Sequence, residues 1–251
     1  MTRSPRLLLL PLLPVVALLA ALGVACGDDG TAESPEPVAG ASIESIETED
    51  GLRLDARLFA VGPSDAPDRL VIFLHMYPAD QSSWYDLARE IQVEGAASAL
   101  TLDFRGYGAS EGDRNVAQID RDVRAALAFA RDRVYRSVAL VGASMGGTAA
   151  IIVAAEEPLA GVITLSAPVR FRGLDAGSAV VRVAAPLAVM AARGDRSAVE
   201  SLETFAERAA LDDRHWLLFD GDAHGTDLLT AAHGGEVRAR LLELLGELWA
   251  P

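Results

Sequence analysis

The chain has 251 residues and a formal net charge of −14, and 51% of its residues are hydrophobic, which is enough for one sizeable core. Arg3 and Arg6 precede Cys26, so 20 basic residues face 36 acidic ones from Cys26 onward, without a basic stripe. Such a chain repels phosphate backbones, and we expect no nucleic-acid partner. Because Cys26 is the sole cysteine, the chain cannot form an internal disulfide or a cysteine-based metal site.

The first 25 residues have the three-part pattern of a secretory signal. Arg3 and Arg6 make the start positive, residues 7–24 are apolar, and small residues lead up to Cys26. The apolar run approaches the length of a membrane-spanning helix, and that alternative stays open. Two prolines within the run and its small-residue end favour cleavage, so we predict a signal peptide at 1–25.

The end of this segment, Leu22-Gly23-Val24-Ala25-Cys26, resembles the lipobox of bacterial lipoproteins, in which the cysteine receives a diacylglycerol. The family prefers leucine three residues before the cysteine, where this chain has Gly23. The resemblance implies lipid attachment at Cys26 and an extracytoplasmic, membrane-anchored protein; ordinary secretion is the alternative. The polar, Gly- and Pro-rich stretch at 26–41 predicts a flexible tether, which leaves 42–251 as the folded domain.

Strand and helix patterns alternate from residue 42. An antiparallel pair is predicted at 42–48 and 52–60, and the run LVIFLH at 70–75 is typical of a strand buried on both faces. The other predicted strands are 97–103, 138–142, 161–166, 187–192 and 216–219, and the predicted helices are 82–94, 116–133, 145–156, 199–210 and 235–249. This alternation predicts an α/β domain with a mostly parallel sheet covered by helices on both faces.

A candidate nucleophile lies between a predicted strand and a predicted helix. Gly142-Ala143-Ser144-Met145-Gly146 matches G-x-S-x-G, and its context is that of a nucleophile elbow, a sharp turn that lifts the serine hydroxyl above the sheet. The two glycines would let neighbouring backbone pass closely. The helix N-terminus would direct its free N–H groups toward developing negative charge. The alternative is a structural serine in a glycine-rich turn.

Residues 70–249 resemble the α/β-hydrolase superfamily throughout, in particular its small lidless members of the dienelactone hydrolase or prolyl-oligopeptidase-like type. The resemblance implies an α/β-hydrolase fold, with a mostly parallel, doubly wound sheet and no large lid, and a serine hydrolase that needs no metal or other cofactor. About twenty residues separate 166 from 187, which suffices for one short helix near 174–183 and predicts an open pocket. The run DFRGYGAS at 103–110 resembles the superfamily's D-x-R-G-x-G-x-S loop, which implies a structural role.

The superfamily places its catalytic groups in the chain order serine, acid, histidine. His224 follows the last predicted strand in the loop GDAHG, which resembles the catalytic-histidine loop, and it is the predicted base. A neutral imidazole there can take the serine proton and return it to the leaving group. His75 precedes the serine and is expected to be structural, whereas His215 and His233 are expected on the surface.

The predicted orienting acid is Asp195, which follows the strand at 187–192 in an Arg-Gly-Asp turn. A carboxylate there would hold the imidazole in the useful tautomer and stabilise its charged form. Asp222 and Asp227 are rivals, but both lie too close to His224 along the chain for the expected topology.

The oxyanion hole is predicted from two backbone N–H groups, those of Met145 and Tyr77. Met145 follows the nucleophile, and Tyr77 corresponds to X in the superfamily's His-Gly-X loop. Met76 replaces the glycine of that loop, so its side chain could crowd the loop or line the acyl pocket. Met76 and Phe171 are predicted pocket residues.

These residues together predict an extracytoplasmic serine hydrolase that cleaves small-molecule esters or thioesters through an acyl-enzyme. Peptidase or perhydrolase chemistry on the same residues is one alternative. The other is a binding lipoprotein without activity, since a fold does not fix a function. The presence of all three triad candidates favours the enzyme.

Overall fold

A computed structural model of the protein describes residues 36–62, 68–133 and 135–250. The predicted signal peptide and Cys26 lie outside these residues, so both stay predictions. Within the described ranges, every helix is too short or too polar to cross a membrane.

An eight-stranded sheet forms the centre of the fold, in the order β1-β2-β4-β3-β5-β6-β9-β10. Strand β2 runs antiparallel to both of its neighbours and the other five pairs of this sheet are parallel, so the predicted mostly parallel sheet is confirmed. The strands are β1 Ser42–Glu47, β2 Arg53–Phe59, β3 Arg69–Leu74, β4 Ser98–Leu102, β5 Ser137–Ala143, β6 Gly161–Leu165, β7 Arg170–Phe171, β8 Leu174–Asp175, β9 Leu187–Ala192 and β10 Trp216–Phe219. Strands β7 and β8 form a separate small hairpin.

Helices cover both faces of the sheet, as expected for a doubly wound fold. They are α1 Tyr85–Val93, α2 Ile119–Asp132, α3 Met145–Ala154, α4 Ala176–Ala179, α5 Arg196–Arg208 and α6 Gly234–Leu248. Helices α2, α3, α4 and α5 contribute to one apolar cluster, and α1 and α6 contribute to the other. Short 3-10 turns occur at Gln81–Trp84, Val116–Gln118, Val180–Arg182 and Gly225–Leu229.

Strand β3 shows why this sequence gives a sheet buried on both faces. Leu70, Ile72 and Leu74 belong to the cluster under α2 and α3, whereas Val71 and Phe73 belong to the cluster under α1 and α6. All five side chains are fully buried. Because successive side chains of a strand point to opposite faces, a continuous apolar run fills both clusters at once. Each such side chain contributes roughly 1.5–3 kcal/mol of burial free energy.

The stretch between β6 and β9 holds no large lid, as predicted, but it differs in detail. One helix was expected at 174–183; the chain instead forms the β7–β8 hairpin, the four-residue helix α4 and a 3-10 turn. Both central residues of the hairpin turn have positive φ, 44° at Arg172 and 100° at Gly173. This twist matches that of the flanking strands, and it therefore closes a two-residue hairpin.

The end of the predicted tether contacts the domain. The carbonyl of Glu36 accepts a hydrogen bond from Arg57 at 3.0 Å, and that of Ala39 accepts one from Arg89 at 3.1 Å. Val38 and Ala41 pack against the apolar cluster of α1 and α6. The residues that make these contacts come before residue 42, where the folded domain was predicted to begin.

Candidate active site

Ser144 occupies the turn between β5 and α3. Its backbone has φ 47° and ψ −116°, and its N–H donates a hydrogen bond to the Leu165 carbonyl at 2.8 Å. Positive φ is costly for a residue with a side chain, and such strain is retained where surrounding structure imposes it. The packing of β5, β6 and α3 therefore holds the serine at the carboxyl edge of the sheet.

Close backbone approach explains the two glycines that flank the serine. A Cβ on Gly146 would lie 2.4 Å from the Leu74 carbonyl oxygen, and one on Gly142 would lie 2.6 Å from the backbone of Gly146. Any side chain at either position would force the start of α3 away from the sheet. Ser144 thus stays directly above the end of β5 only with these small neighbours.

His224 lies between Ser144 and Asp195. Its Nε2 is 2.8 Å from Ser144 Oγ, and its Nδ1 is 2.5 Å from Asp195 Oδ2. The carboxylate can only accept, so Nδ1 carries the proton and Nε2 is free to accept from the serine hydroxyl. Ser144 and Asp195 are largely buried, whereas the His224 side chain is 43% exposed. The structure brings together the three residues predicted to form the triad.

Helix α5 fixes the position of the Asp195 carboxylate. Asp195 is the N-cap of α5, and its Oδ1 accepts hydrogen bonds from Ala198 N–H at 3.3 Å and Ser197 Oγ–H at 3.1 Å. This cap starts the helix at Arg196, three residues before its predicted start. One carboxylate oxygen therefore anchors the side chain while the other binds the imidazole.

The other three histidines lie outside the triad, and His215, which was expected on the surface, is half-buried. His75 is buried, accepts a hydrogen bond from Phe104 N–H at Nε2 and donates one from Nδ1 to the Met76 carbonyl. Burial lowers the pKa of His75 to about 4, so the ring is neutral. His215 binds Asp212 at the amino end of β10, and His233 lies 4.0 Å from Glu236 on α6.

The rival carboxylates Asp222 and Asp227 do not bind the His224 ring; Asp195 does. Asp227 is connected to His224 only through its backbone N–H, which donates to the His224 carbonyl at 3.1 Å. In residues 36–62, 68–133 and 135–250, no group of three His, Cys, Asp or Glu side chains is arranged to hold a metal ion.

Residues predicted for the oxyanion loop border the site. Met145 is fully buried as the first residue of α3, and Met76 lies against the histidine loop, where a Cβ on Gly225 would be 2.5 Å from its sulfur. Met76 therefore packs against the residue after His224. The role of the Met145 and Tyr77 N–H groups as oxyanion donors stays a prediction.

Three aromatic rings pack together beside Met145, and we call Tyr77, Tyr107 and Phe171 the aromatic wall. The Tyr77 ring lies 6.4 Å from that of Tyr107 and 6.3 Å from that of Phe171, centroid to centroid. The Tyr107 hydroxyl is 3.9 Å from the sulfur of Met145, the residue next to the nucleophile. Sequence reasoning predicted Phe171 here but missed Tyr107, which lies in the loop assigned a structural role.

That loop is structural, as its motif implied. The buried Arg105 binds Asp122 on α2 and Asp50 in the β1–β2 turn. Asp103 accepts hydrogen bonds from the backbone and side chain of Gln81, and burial raises the pKa of its carboxyl to about 6. These contacts tie four segments together beside the aromatic wall.

Comparisons with known proteins agree with this geometry. Residues 65–204, which include Ser144 and Asp195, match the family described as serine aminopeptidase, S33. An esterase of Pyrococcus furiosus has a similar structure, with a TM-score of 0.69 and 21% identity over 84% of this chain and 91% of that one. A thermophilic esterase from Thermogutta terrifontis is also similar, with a TM-score of 0.68 and 16% identity over 84% of this chain and 100% of that one.

An α/β serine hydrolase without lid from Xanthomonas campestris is also similar, with a TM-score of 0.64 and 18% identity over 86% of this chain and 98% of that one. At these identities the likeness establishes the fold, and the family match extends over more than half of the chain. The protein is therefore a serine hydrolase of the α/β-hydrolase superfamily that belongs to the serine aminopeptidase S33 family.

Proposed function

We propose that the protein is a membrane-anchored, extracytoplasmic hydrolase of carboxylic esters or thioesters that works through an acyl-enzyme on Ser144. One observation carries the proposal: the His224 imidazole bridges Ser144 Oγ at 2.8 Å and Asp195 Oδ2 at 2.5 Å. This chain of contacts lets a proton leave the hydroxyl as the oxygen becomes a nucleophile.

The reaction proceeds in two balanced halves. Ser144 Oγ forms a bond to the substrate carbonyl carbon while its proton passes to His224 Nε2, and Asp195 stabilises the imidazolium. The backbone N–H groups of Met145 and Tyr77 would stabilise the oxyanion. Collapse breaks the bond to the leaving group, which takes the proton from His224. Water then repeats the sequence on the acyl-enzyme, releasing the acid and free Ser144.

The charge beside the site favours esters over N-terminal peptides. An aminopeptidase must accept the cationic N-terminus of its substrate, yet the groups lying over the aromatic wall are the guanidiniums of Arg114 and Arg172. Like charges this close to a binding edge disfavour such a substrate. The similar structures named as esterases and the short segment between β6 and β9 support the same conclusion.

Anchoring is proposed from the signal-like segment and Cys26. Expression of the full chain in a bacterium with metabolic labelling by an alkynyl fatty acid tests it. We expect label on the wild type and none on Cys26→Ala, which would leave the membrane fraction. Equal labelling, or retention of the unlabelled chain in the cytoplasm, would contradict the anchor.

Hydrolysis of p-nitrophenyl esters of graded chain length tests the reaction. The full chain in detergent is expected to turn over at least the short esters, and Ser144→Ala and His224→Gln are each expected to lose about 10³-fold or more in kcat. His233→Gln, on the surface beside α6, is the matched control and should keep full activity. Equal turnover by wild type and Ser144→Ala would favour a binding protein.

A further inference from the structure

Two arginines lie over the aromatic wall. The guanidinium carbon of Arg172 is 4.3 Å from the centre of the Tyr77 ring and 5.5 Å from that of Phe171, and that of Arg114 is 4.8 Å from the centre of the Tyr107 ring. Such cation–π contacts fix the position of a charged group without neutralising it. The wall therefore presents two positive charges at the edge of the site.

Neither charge is paired within the protein. Among residues 36–62, 68–133 and 135–250, no carboxylate lies within 4 Å of Arg114 or Arg172. Their neighbour Arg170, two residues before Arg172 in the same hairpin, does bind Asp175 at 2.9 Å. The Nε–H of Arg114 donates to the Gly106 carbonyl at 3.0 Å. Its two terminal NH₂ groups and the guanidinium of Arg172 are left for a planar acceptor such as a carboxylate.

The backbone carries strain to hold Arg172 there. Arg172 has φ 44° at the first central position of the hairpin turn, where asparagine or glycine is favoured. A Cβ on the following Gly173 would lie 2.9 Å from Cβ of Ala117, so the turn packs on the segment that follows Arg114. This contact brings the two arginines to the same rim.

Overall charge cannot supply an attraction for anions. From Cys26 onward 36 acidic residues oppose 20 basic ones, so the protein as a whole repels negatively charged molecules. Two guanidiniums that lack a carboxylate partner nevertheless put positive charge next to Tyr77 and Tyr107. We propose that the substrate is an ester with a carboxylate, on its acyl chain or its leaving group, that Arg172 and Arg114 bind; this inference rests on the proposed ester hydrolysis.

Matched esters test the inference with the full chain in detergent. The anionic p-nitrophenyl hydrogen adipate and 4-nitro-3-hexanoyloxybenzoate carry the carboxylate on the acyl and leaving-group sides, and p-nitrophenyl hexanoate is the neutral reference. In the wild type, we expect kcat/KM for at least one anionic ester to exceed kcat/KM for the neutral ester, so that the ratio of the two is above one. Arg172→Gln and Arg114→Gln should each lower that ratio roughly tenfold, the size expected for a lost charge-assisted hydrogen bond.

Two controls separate recognition from general charge effects. Arg170→Gln changes the net charge equally in the same hairpin but should leave the ratio unchanged, because Arg170 already binds Asp175. Raising the NaCl concentration should lower the wild-type ratio, since salt screens an exposed charge pair. Ratios at or below one for both anionic esters, unchanged by salt and by both arginine variants, would overturn the inference while leaving ester hydrolysis intact. Absence of turnover with all three esters would instead contradict the proposed function itself.

Discussion

Asp195 binds the His224 ring with one carboxylate oxygen and caps helix α5 with the other. The Oδ2–Nδ1 distance is 2.5 Å, and Oδ1 accepts the Ala198 N–H at 3.3 Å. Helix α5, which packs against β9, thus orients the Asp195 carboxylate, and this carboxylate orients the His224 ring. The Asp195 side chain therefore contributes both to the stability of α5 and to the proposed chemistry, and substitutions can separate the two contributions.

Replacing Asp195 by asparagine is expected to remove activity without loosening the fold. Asparagine caps a helix as well as aspartate does, but its amide cannot hold the same tautomer of His224 and stabilise its charge. We expect kcat to fall about 10⁴-fold while Tm stays unchanged. Asp195→Ala should lose the same activity and also about 1 kcal/mol of unfolding free energy from the missing cap. Full activity of Asp195→Asn would refute the role given to the carboxylate.

The close approach of α3 to β3 predicts a sharp difference between two glycines. Gly146→Ala would place Cβ 2.4 Å from the Leu74 carbonyl oxygen, so it should destabilise the protein by roughly 2 kcal/mol or more and displace Ser144. Gly246→Ala, in α6 with nothing within 4 Å, should stabilise it by about 0.5–1 kcal/mol. Urea unfolding measures both, and similar effects at the two sites would contradict the packing described here.

The buried His75 gives a pH dependence of stability. Burial lowers its pKa from 6.5 to about 4, so between these values the unfolded chain binds a proton that the folded chain does not. The neutral His75 therefore makes its full contribution to the free energy of unfolding above pH 6.5. About 3 kcal/mol of that contribution is lost as the pH falls toward 4. Urea unfolding at pH 7, 6, 5 and 4 should show the stability advantage of wild type over His75→Gln shrinking by that amount. A constant advantage would show that the imidazole is not desolvated.

The contacts of residues 36–41 predict where the folded unit begins. Two chains, one starting at residue 36 and one at 42, differ in the Glu36 and Ala39 hydrogen bonds and in the packing of Val38 and Ala41. The shorter chain is expected to lose about 1–3 kcal/mol of unfolding free energy. Identical Tm values would mean that these residues add nothing to the domain.

Much of the fold and the triad follows from local sequence patterns. The run at β3 is apolar at every position because both faces of the strand are buried, and β9 and β10 have the predicted bounds. Ser144, Asp195 and His224 each follow a strand, and the carboxyl ends of parallel strands meet at one edge. Chain order and motif context were therefore enough to predict residues that the structure places in contact.

What the sequence did not reveal depends on contacts between distant segments. The β7–β8 hairpin needs positive φ at Arg172, a conformation that arginine rarely adopts and that propensity does not predict. The aromatic wall joins Tyr77 and Tyr107, from two separate loops, with Phe171 of β7. The Arg172-Gly173 pair is the one local signal that could have indicated a turn, because glycine tolerates the second positive φ.

The most direct test of the central claim is to identify the side chain that a fluorophosphonate modifies. The full chain is labelled, digested and analysed by mass spectrometry, with Ser144→Ala and His224→Gln in parallel. We expect one adduct, on the peptide that contains Ser144, none in Ser144→Ala, and labelling slowed by orders of magnitude in His224→Gln. An adduct on another residue, or no adduct on the folded wild-type protein, would contradict it.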